Sequence, residues 1–153
     1  MKEDYHFSRE LFDEKIDPIL KGNTTSHCQY TYIARKGDEN IYKIGMSRNP
    51  TTRGKMLGGR YRGFKVLYFL ESNIEHDMHL SVLHAGARYA FKNDERFGLK
   101  EAFIISQDDI EHIIKHCGFR PISEFDKTCF DGLFEKEVQE HYQIALELGY
   151  IKQ

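Results

Sequence analysis

Three short apolar segments in the first half of the chain constrain the fold most, because each has the composition of a β-strand. Residues 30–34 and 41–45 are rich in aromatic and β-branched side chains, and the turn-forming residues 36–40 separate them. We therefore predict an antiparallel hairpin with a loop of about five residues. Residues 64–70 are strongly apolar and predict a third strand at the centre of the same sheet.

Capping residues, glycines and apolar spacing predict helices around these strands. The second predicted helix begins at Asn49-Pro50, the third is capped by Asn73, and the fourth begins at Ser106 in a capping-box pattern. A short fourth strand is predicted just before Ser106. The predicted helices cover residues 1–22, 50–58, 73–89, 106–116 and about 131–148.

The predicted architecture is α+β: a small antiparallel or mixed sheet of about three to four strands, flanked by helices, with extra helices at the C-terminal end. The predicted divisions are an N-terminal helical extension at 1–28, a core at 29–106 and a C-terminal helical subdomain at 107–153. A chain of 153 residues is long enough to bury one core of this kind.

The composition indicates a globular protein of a reducing compartment. The chain is 40% hydrophobic and 30% charged, and its longest apolar run is far shorter than the roughly 20 residues of a membrane-spanning helix. The first residues contain no apolar leader segment, and the three cysteines form no C-x-x-C pair. We therefore expect a cytoplasmic protein with reduced thiols and no membrane contact.

Charge is unevenly distributed along the chain. Residues 41–70 contain seven Lys and Arg and no Asp or Glu, whereas the rest of the chain carries 15 basic and 24 acidic residues. Aromatic side chains and glycines alternate with these basic residues, which suits contact with phosphates and bases. We therefore expect DNA as the partner, with duplex DNA favoured and RNA as an alternative. The predicted DNA contacts are Arg48, Lys55, Arg60, Tyr61, Arg62 and Lys65.

An ordered set of motifs runs through the predicted core. Tyr30-Thr31-Tyr32 is followed, after a gap of ten residues, by Lys43-Ile44-Gly45, and Arg53 lies eight residues after Gly45. A Glu-His-Asp-Met-His segment beginning at Glu75 falls in the helix after the third strand. In this order the motifs resemble the GIY-YIG nuclease superfamily, and in particular its phage-associated branch, whose second motif reads KIG.

The resemblance implies a metal-dependent DNA endonuclease, nicking or cutting both strands, in a phage or mobile-element context. It implies catalytic roles for Tyr32, Lys43, Arg53 and Glu75, with Glu75 holding one Mg²⁺ or Mn²⁺ as a hard oxygen ligand. Arg53 would hold phosphate oxygens with its planar guanidinium. A homodimer would suit cleavage of both strands, because two active sites would face them.

The roles within this predicted site stay open in part. A phenol ordinarily loses its proton only near pH ~10, so Tyr32 needs a neighbouring cation to act as a base. Lys43 would be that cation, or act as a desolvated base itself, or contact the scissile phosphate. His79, one helical turn after Glu75, and Tyr42 are expected to support these residues from the next layer.

The motifs also depart from the family pattern. Tyr30 stands where the first motif has glycine, Lys43 stands where the second has tyrosine, and Leu57 stands where some members have histidine. These departures motivate a second hypothesis, a non-catalytic DNA-binding module on the same scaffold. A third is an interaction protein whose acidic C-terminal helices bind a partner.

One further cluster has metal-binding residue types. His112 and His116 are four residues apart on a predicted helix, beside Cys117, and such residues bind zinc in many proteins. No fourth ligand lies at a suitable spacing in the sequence, so we interpret them as part of a partly exposed helix face.

Overall fold

The computed structural model describes residues 5–22, 29–51, 63–91, 102–125, 140 and 142–149. In chain order the elements are α1 (Arg9–Gly22), β1 (Tyr30–Lys36), β2 (Ile41–Ser47), β3 (Phe64–Leu70), α2 (Glu75–His84), β4 (Arg88–Tyr89), β5 (Ala102–Ile104), α3 (Gln107–Cys117), β6 (Arg120–Pro121) and a 3₁₀ turn (Ile122–Glu124). Residues 142–147 are also helical, within the last predicted helix.

The described strands form one sheet in the spatial order β4-β5-β2-β1-β3-β6, and every neighbouring pair is antiparallel. The predicted α+β class is confirmed, but the sheet has six strands where three to four were predicted. The extra strands, β4 and β6, contain two residues each. They are defined by pairing with distant strands, so a local sequence pattern does not reveal them.

The predicted hairpin is formed by β1 and β2, which are seven residues each. Its loop is shorter than the predicted five residues, since only four residues separate the two strands. The Arg35 side chain closes the loop by donating to the backbone carbonyls of Asp38 and Glu39, at 3.0 and 2.9 Å. β3 is an internal strand between β1 and β6, with a bulge at Leu67 where the register with β1 shifts.

Strand alternation gives the sheet two different apolar faces. Ile33, Tyr42 and Ile44 lie on the face that packs against α1, α2 and α3, in a core that includes Phe12 of α1 and Ile113 of α3. The opposite face carries a second, smaller buried cluster, which consists of Tyr32, Ala34, Phe64, Val66 and Ala102. We call the first the helix face and the second the Tyr32 face.

The α3 helix begins as predicted, with Ser106 as its N-cap. The Ser106 hydroxyl accepts a hydrogen bond from the Asp109 N–H at 3.2 Å, and the left-handed Gly118 ends the helix. Tyr5 adds a longer-range contact, because its hydroxyl accepts from the Ser106 N–H at 2.9 Å and donates to the Asp109 carboxylate at 2.6 Å. The N-terminal segment is thereby joined to the start of α3.

Asp109 is the charged centre of this cap. Burial by itself raises the pKa of its carboxyl, but hydrogen bonds from Tyr5, Arg9 and Ser106 outweigh burial, and the pKa is lowered. The Arg9 Nε donates to Asp109 at 2.8 Å. Asp109 therefore stays ionised in the folded protein and links the N-terminal segment and α1 to α3.

The α2 helix is shorter than predicted at both ends. It begins at Glu75 without a side-chain cap from Asn73, whose amide instead donates to the Gln29 side chain at 2.8 Å. It ends at His84, not near residue 89, because Gly86 takes a φ of 113° and the chain passes close to the His6 carbonyl oxygen, where a side chain would collide. No helix within the described residues is long and apolar enough to cross a bilayer.

Candidate functional site

Tyr32 and Lys43 meet at the centre of the Tyr32 face. Tyr32 pairs with Gly45 across the hairpin, and Lys43 lies two residues before Gly45 on the same side of β2, so the two side chains are diagonal neighbours. The Lys43 Nζ donates a hydrogen bond to the Tyr32 Oη at 2.6 Å. Tyr32 is fully buried and Lys43 is 2% exposed. Burial of a lysine is costly unless its ammonium is hydrogen-bonded, and here the Tyr32 hydroxyl accepts one such bond.

Gly45 makes room for this pair. A Cβ atom added at Gly45 would lie 2.5 Å from the Tyr32 Cζ and Oη and 2.6 Å from the Lys43 Nζ. These separations are well below van der Waals contact, so any side chain at residue 45 would displace the pair. The glycine of the Lys-Ile-Gly motif is therefore explained by close approach, because the Tyr32 ring lies directly over its backbone.

Glu75 is the first residue of α2, and a buried threonine holds the chain just before it. The Thr31 hydroxyl accepts from the Ile74 N–H at 2.9 Å and donates to the Ser72 carbonyl at 2.6 Å. The Thr31 N–H also donates to that carbonyl, at 3.0 Å. Because Thr31 precedes Tyr32, these bonds attach the start of α2 to the strand that carries the phenol. Sequence reasoning missed Thr31, since a threonine in a strand gives no special signal.

His79 attaches the next turn of α2 to β2. Its Nε2 lies 2.7 Å from the carbonyl oxygen of Ile44, the residue between Lys43 and Gly45, and its ring centroid lies 5.2 Å from that of Phe103. His79 thus holds the backbone of the motif strand from the helix face. The role predicted for His79, support of the catalytic residues from the next layer, stays a prediction.

Tyr42 lies on the opposite face from Tyr32 and Lys43. Its ring is 1% exposed and belongs to the core of the helix face, with the Arg35 guanidinium 5.5 Å from its centroid. Burial raises the pKa of its phenol. Strand alternation therefore directs Tyr42 away from the pair that it was predicted to support.

The predicted DNA contacts fall in different places. Arg48 and Lys65 are exposed, but Lys65 pairs with Arg35 and so projects from the helix face, away from Tyr32. Five other predicted site residues lie outside the described residues: Arg53, Lys55, Arg60, Tyr61 and Arg62.

An aromatic cluster on the Tyr32 face was also missed. The rings of Tyr30, Phe69 and Phe125 contact one another edge to face, with centroids 5.1 to 6.2 Å apart. The exposed Arg120 places its guanidinium 4.8 Å from the Phe69 centroid and pairs with Glu71. Because Phe69 is the register partner of Tyr32, Arg120 adds a cation to this side of the sheet.

The predicted metal ligand, Glu75, lies at the start of α2. Glu75 offers a carboxylate at a half-buried position, and Mg²⁺ and Mn²⁺ bind carboxylate oxygens while keeping several waters. Glu75 is thus the residue that would hold such an ion. A metal there would act as a Lewis acid toward a phosphate.

The geometry defines the class of protein. It is an α+β domain whose antiparallel sheet carries a buried Lys–Tyr pair on one face. Residues 29–118 match the T5orf172 domain, and the chain belongs to that family. The prediction of a GIY-YIG nuclease is corrected by this match, which is to a different family. No curated protein and no solved structure matches the chain.

The T5orf172 domain is an endonuclease-like domain of phage and bacterial proteins. The match therefore favours a nuclease-like protein with DNA as its partner. The matched range includes the hairpin, α2 and α3, and it leaves α1 outside.

Proposed function

We propose that this protein is a metal-dependent DNA endonuclease whose reactive centre is the Tyr32–Lys43 pair. The observation that carries the proposal is the buried 2.6 Å hydrogen bond from the Lys43 Nζ to the Tyr32 Oη. Lysine at such a position is costly to bury, and a chain selected for stability alone would favour an apolar residue there. We therefore take the buried pair as the candidate reactive centre.

In this proposal Tyr32 first gives its own proton to solvent and then, as a phenolate, accepts the proton of the attacking water, while the Lys43 ammonium balances the negative charge on the phenolate oxygen. The water oxygen forms a bond to phosphorus as the bond to the 3′ oxygen breaks, and the 3′ alkoxide then takes a proton from solvent while Tyr32 releases to solvent the proton it accepted. Both groups are shielded from water, and a low local dielectric strengthens the hydrogen bond between them. DNA must displace the groups that cover this face before it contacts the pair.

Two other groups complete the proposed site. Glu75 would hold one Mg²⁺ or Mn²⁺, which would supply Lewis-acid stabilisation of the phosphate charge. Arg53 stays the predicted phosphate-binding arginine. Thr31 and His79 would position the start of α2 against β1 and β2, through the hydrogen bonds to Ile74 and Ile44.

A second candidate function is a DNA-binding module without catalysis. The observation that favours it is the burial of Tyr32 and Lys43, which are 0% and 2% exposed. A pair that never contacts DNA would serve only to specify the hairpin register. The basic residues of the 41–70 segment would then bind the DNA backbone in a salt-dependent way.

Plasmid relaxation separates the two functions. Supercoiled DNA is incubated with wild type, Tyr32→Phe, Lys43→Met and Glu75→Gln in Mg²⁺, Mn²⁺ or EDTA. We expect open-circular or linear product from wild type in a divalent metal, and rates lower by about 10²- to 10⁴-fold for the first two variants, as for loss of an acid–base group. Open-circular product indicates nicking, and linear product indicates a cut through both strands.

Matched controls place the same chemical changes elsewhere. Lys15→Met removes an exposed ammonium from α1, and Tyr68→Phe removes a phenol from the helix face. Both should cleave at the wild-type rate. If wild type retards DNA on a gel yet leaves plasmid and phage DNA intact in every metal, the binding-module function replaces the nuclease proposal.

A further inference from the structure

Two carboxylates of α1 and two histidines of α3 converge on the outer side of the helix face. Asp13 and Asp17 are four residues apart on α1, and His112 and His116 are four residues apart on α3, so each pair occupies one face of its helix. The sequence alone showed only the histidines. The other two ligand candidates come from a helix 99 residues away in the chain.

The distances among their polar atoms are short. The His112 Nε2 lies 2.8 Å from the Asp13 Oδ1, and the His116 Nε2 lies 3.5 Å from the same oxygen. The His116 Nε2 also lies 2.6 Å from the Asp17 Oδ1. One atom each of Asp13, His112 and His116 lie within 4.8 Å of one another. Asp17 is not in that group, so its carboxylate would rotate toward the other three to complete the spacing of about 3.4 Å between ligands around a tetrahedral ion.

We propose that Asp13, Asp17, His112 and His116 form a binding site for Zn²⁺ or a similar divalent transition metal. Two imidazoles and two carboxylates are a donor set that suits zinc in four-coordinate geometry. The same set disfavours Mg²⁺, which prefers oxygen ligands. The two carboxylates together match the charge of one divalent cation. This site is separate from Glu75 and from the Tyr32–Lys43 pair.

The surroundings support a metal site. The buried Phe12 ring meets the rings of His112 and His116 edge to face, with centroids 6.5 and 6.4 Å away, and the two imidazoles stack at 5.5 Å. This apolar backing holds the imidazole planes and limits water behind them. On the outer side, His112 borders a shallow cleft lined by Arg9, Asp108, Glu111 and Lys115, which offers a path for an ion.

Cys117, the third candidate of the sequence pattern, is not part of this site. Its side chain is buried, and it is not among the residues whose ligand atoms lie within 4.8 Å of one another. The metal would therefore use the carboxylates of α1. Because α1 lies outside the residues that match the T5orf172 domain, the metal would link this helix to the domain.

The test measures metal binding to the full chain, independent of nuclease activity. Metal-free protein is titrated with Zn²⁺ by calorimetry, and the visible spectrum of the Co²⁺-loaded protein reports the coordination number. We expect an intense four-coordinate Co²⁺ spectrum and a Tm that rises with the Zn²⁺ concentration. Loss of a residue that hydrogen-bonds to a metal ligand lowers metal affinity by about 10- to 100-fold. His112→Gln and His116→Gln each remove a ligand itself, so each should lower the Zn²⁺ affinity by more than that.

Two further variants keep the outcome clear. Asp13→Asn retains size and helix position and should also weaken Zn²⁺ binding, while His84→Gln removes an exposed histidine at the end of α2 and should leave it unchanged. Circular dichroism without metal shows that each variant is folded. If Zn²⁺ binds the His112→Gln/His116→Gln double variant as tightly as wild type, or leaves the wild-type Tm unchanged, the four residues are only an ion-pair contact between helices and the proposal is overturned.

Discussion

The Lys43 ammonium lies 2.6 Å from the Tyr32 hydroxyl oxygen inside the sheet, with both side chains almost completely shielded from water. The two residues are eleven positions apart in sequence, and the pairing of Tyr32 with Gly45 across the hairpin brings them together. The register is therefore as important to the candidate site as the residue types.

The pair should show strong energetic coupling. Tyr32→Phe leaves the ammonium buried with one acceptor fewer and should lower the free energy of unfolding by about 1–3 kcal/mol. The double variant Tyr32→Phe/Lys43→Met should be more stable than Tyr32→Phe alone, because no ammonium is then left in the sheet. Urea unfolding of wild type, both single variants and the double variant measures the coupling. Additive effects of the two substitutions would contradict direct interaction.

Gly45→Ala should damage the site without removing any functional group. Its methyl group would occupy the space now taken by the Tyr32 phenol and the Lys43 Nζ. We expect a loss of stability of about 1–3 kcal/mol from overpacking. Plasmid cleavage, if present in wild type, should fall with it. Gly22→Ala is the matched control, since a Cβ there meets nothing within 4 Å; equal behaviour of the two variants would refute the close-approach argument.

Thr31 should be more sensitive to loss of its hydroxyl than to loss of its methyl group. Thr31→Val removes the acceptor of the buried Ile74 N–H and should cost about 1–3 kcal/mol of unfolding free energy. Thr31→Ser keeps the hydroxyl and should restore most of the stability and of any cleavage rate. Thermal or urea unfolding decides the matter, and a valine variant more stable than the serine variant would show that packing outweighs the hydrogen bonds.

Asp109 should make stability depend on pH on the acid side. Its pKa is lowered in the folded state, so its stabilising effect is present above the ordinary carboxyl range near ~4 and is lost as the pH falls through the folded-state value. Asp109→Asn should therefore cost about 1 kcal/mol at pH 7, the scale of a helix cap, and progressively less toward pH ~3.

The control for this prediction is Asp108→Asn, which removes an exposed carboxylate from the same helical turn. Urea unfolding of both variants and wild type at several pH values gives the comparison. A constant difference between wild type and Asp109→Asn across the acid range would mean that the Tyr5, Arg9 and Ser106 hydrogen bonds do not select the ionised carboxylate.

Local signals in the sequence determined the central part of the fold. Aromatic and β-branched residues on both sides of the Lys36 turn predicted the hairpin, and Ser106 three residues before Asp109 predicted the start of α3. Both features depend on interactions within a few residues, through turn geometry and capping hydrogen bonds. The end of α2 was predicted wrongly because it does not depend on neighbouring residues alone. There the chain at Gly86 passes close to His6, which belongs to a distant segment.

The spacing of Tyr32 and Lys43 was visible in the sequence, and strand alternation placed Tyr42 on the other face. The contact between Tyr32 and Lys43 depends on which residues pair across the strands. The same pairing determines the hydrogen bonds of Thr31 and the space that Gly45 leaves for the pair. Only the tertiary structure decided this pairing. The two-residue strands β4 and β6 and the convergence of Asp13 and Asp17 with His112 and His116 likewise arise from packing between segments far apart in the chain. Such contacts form only when the whole core assembles, so no local pattern encodes them.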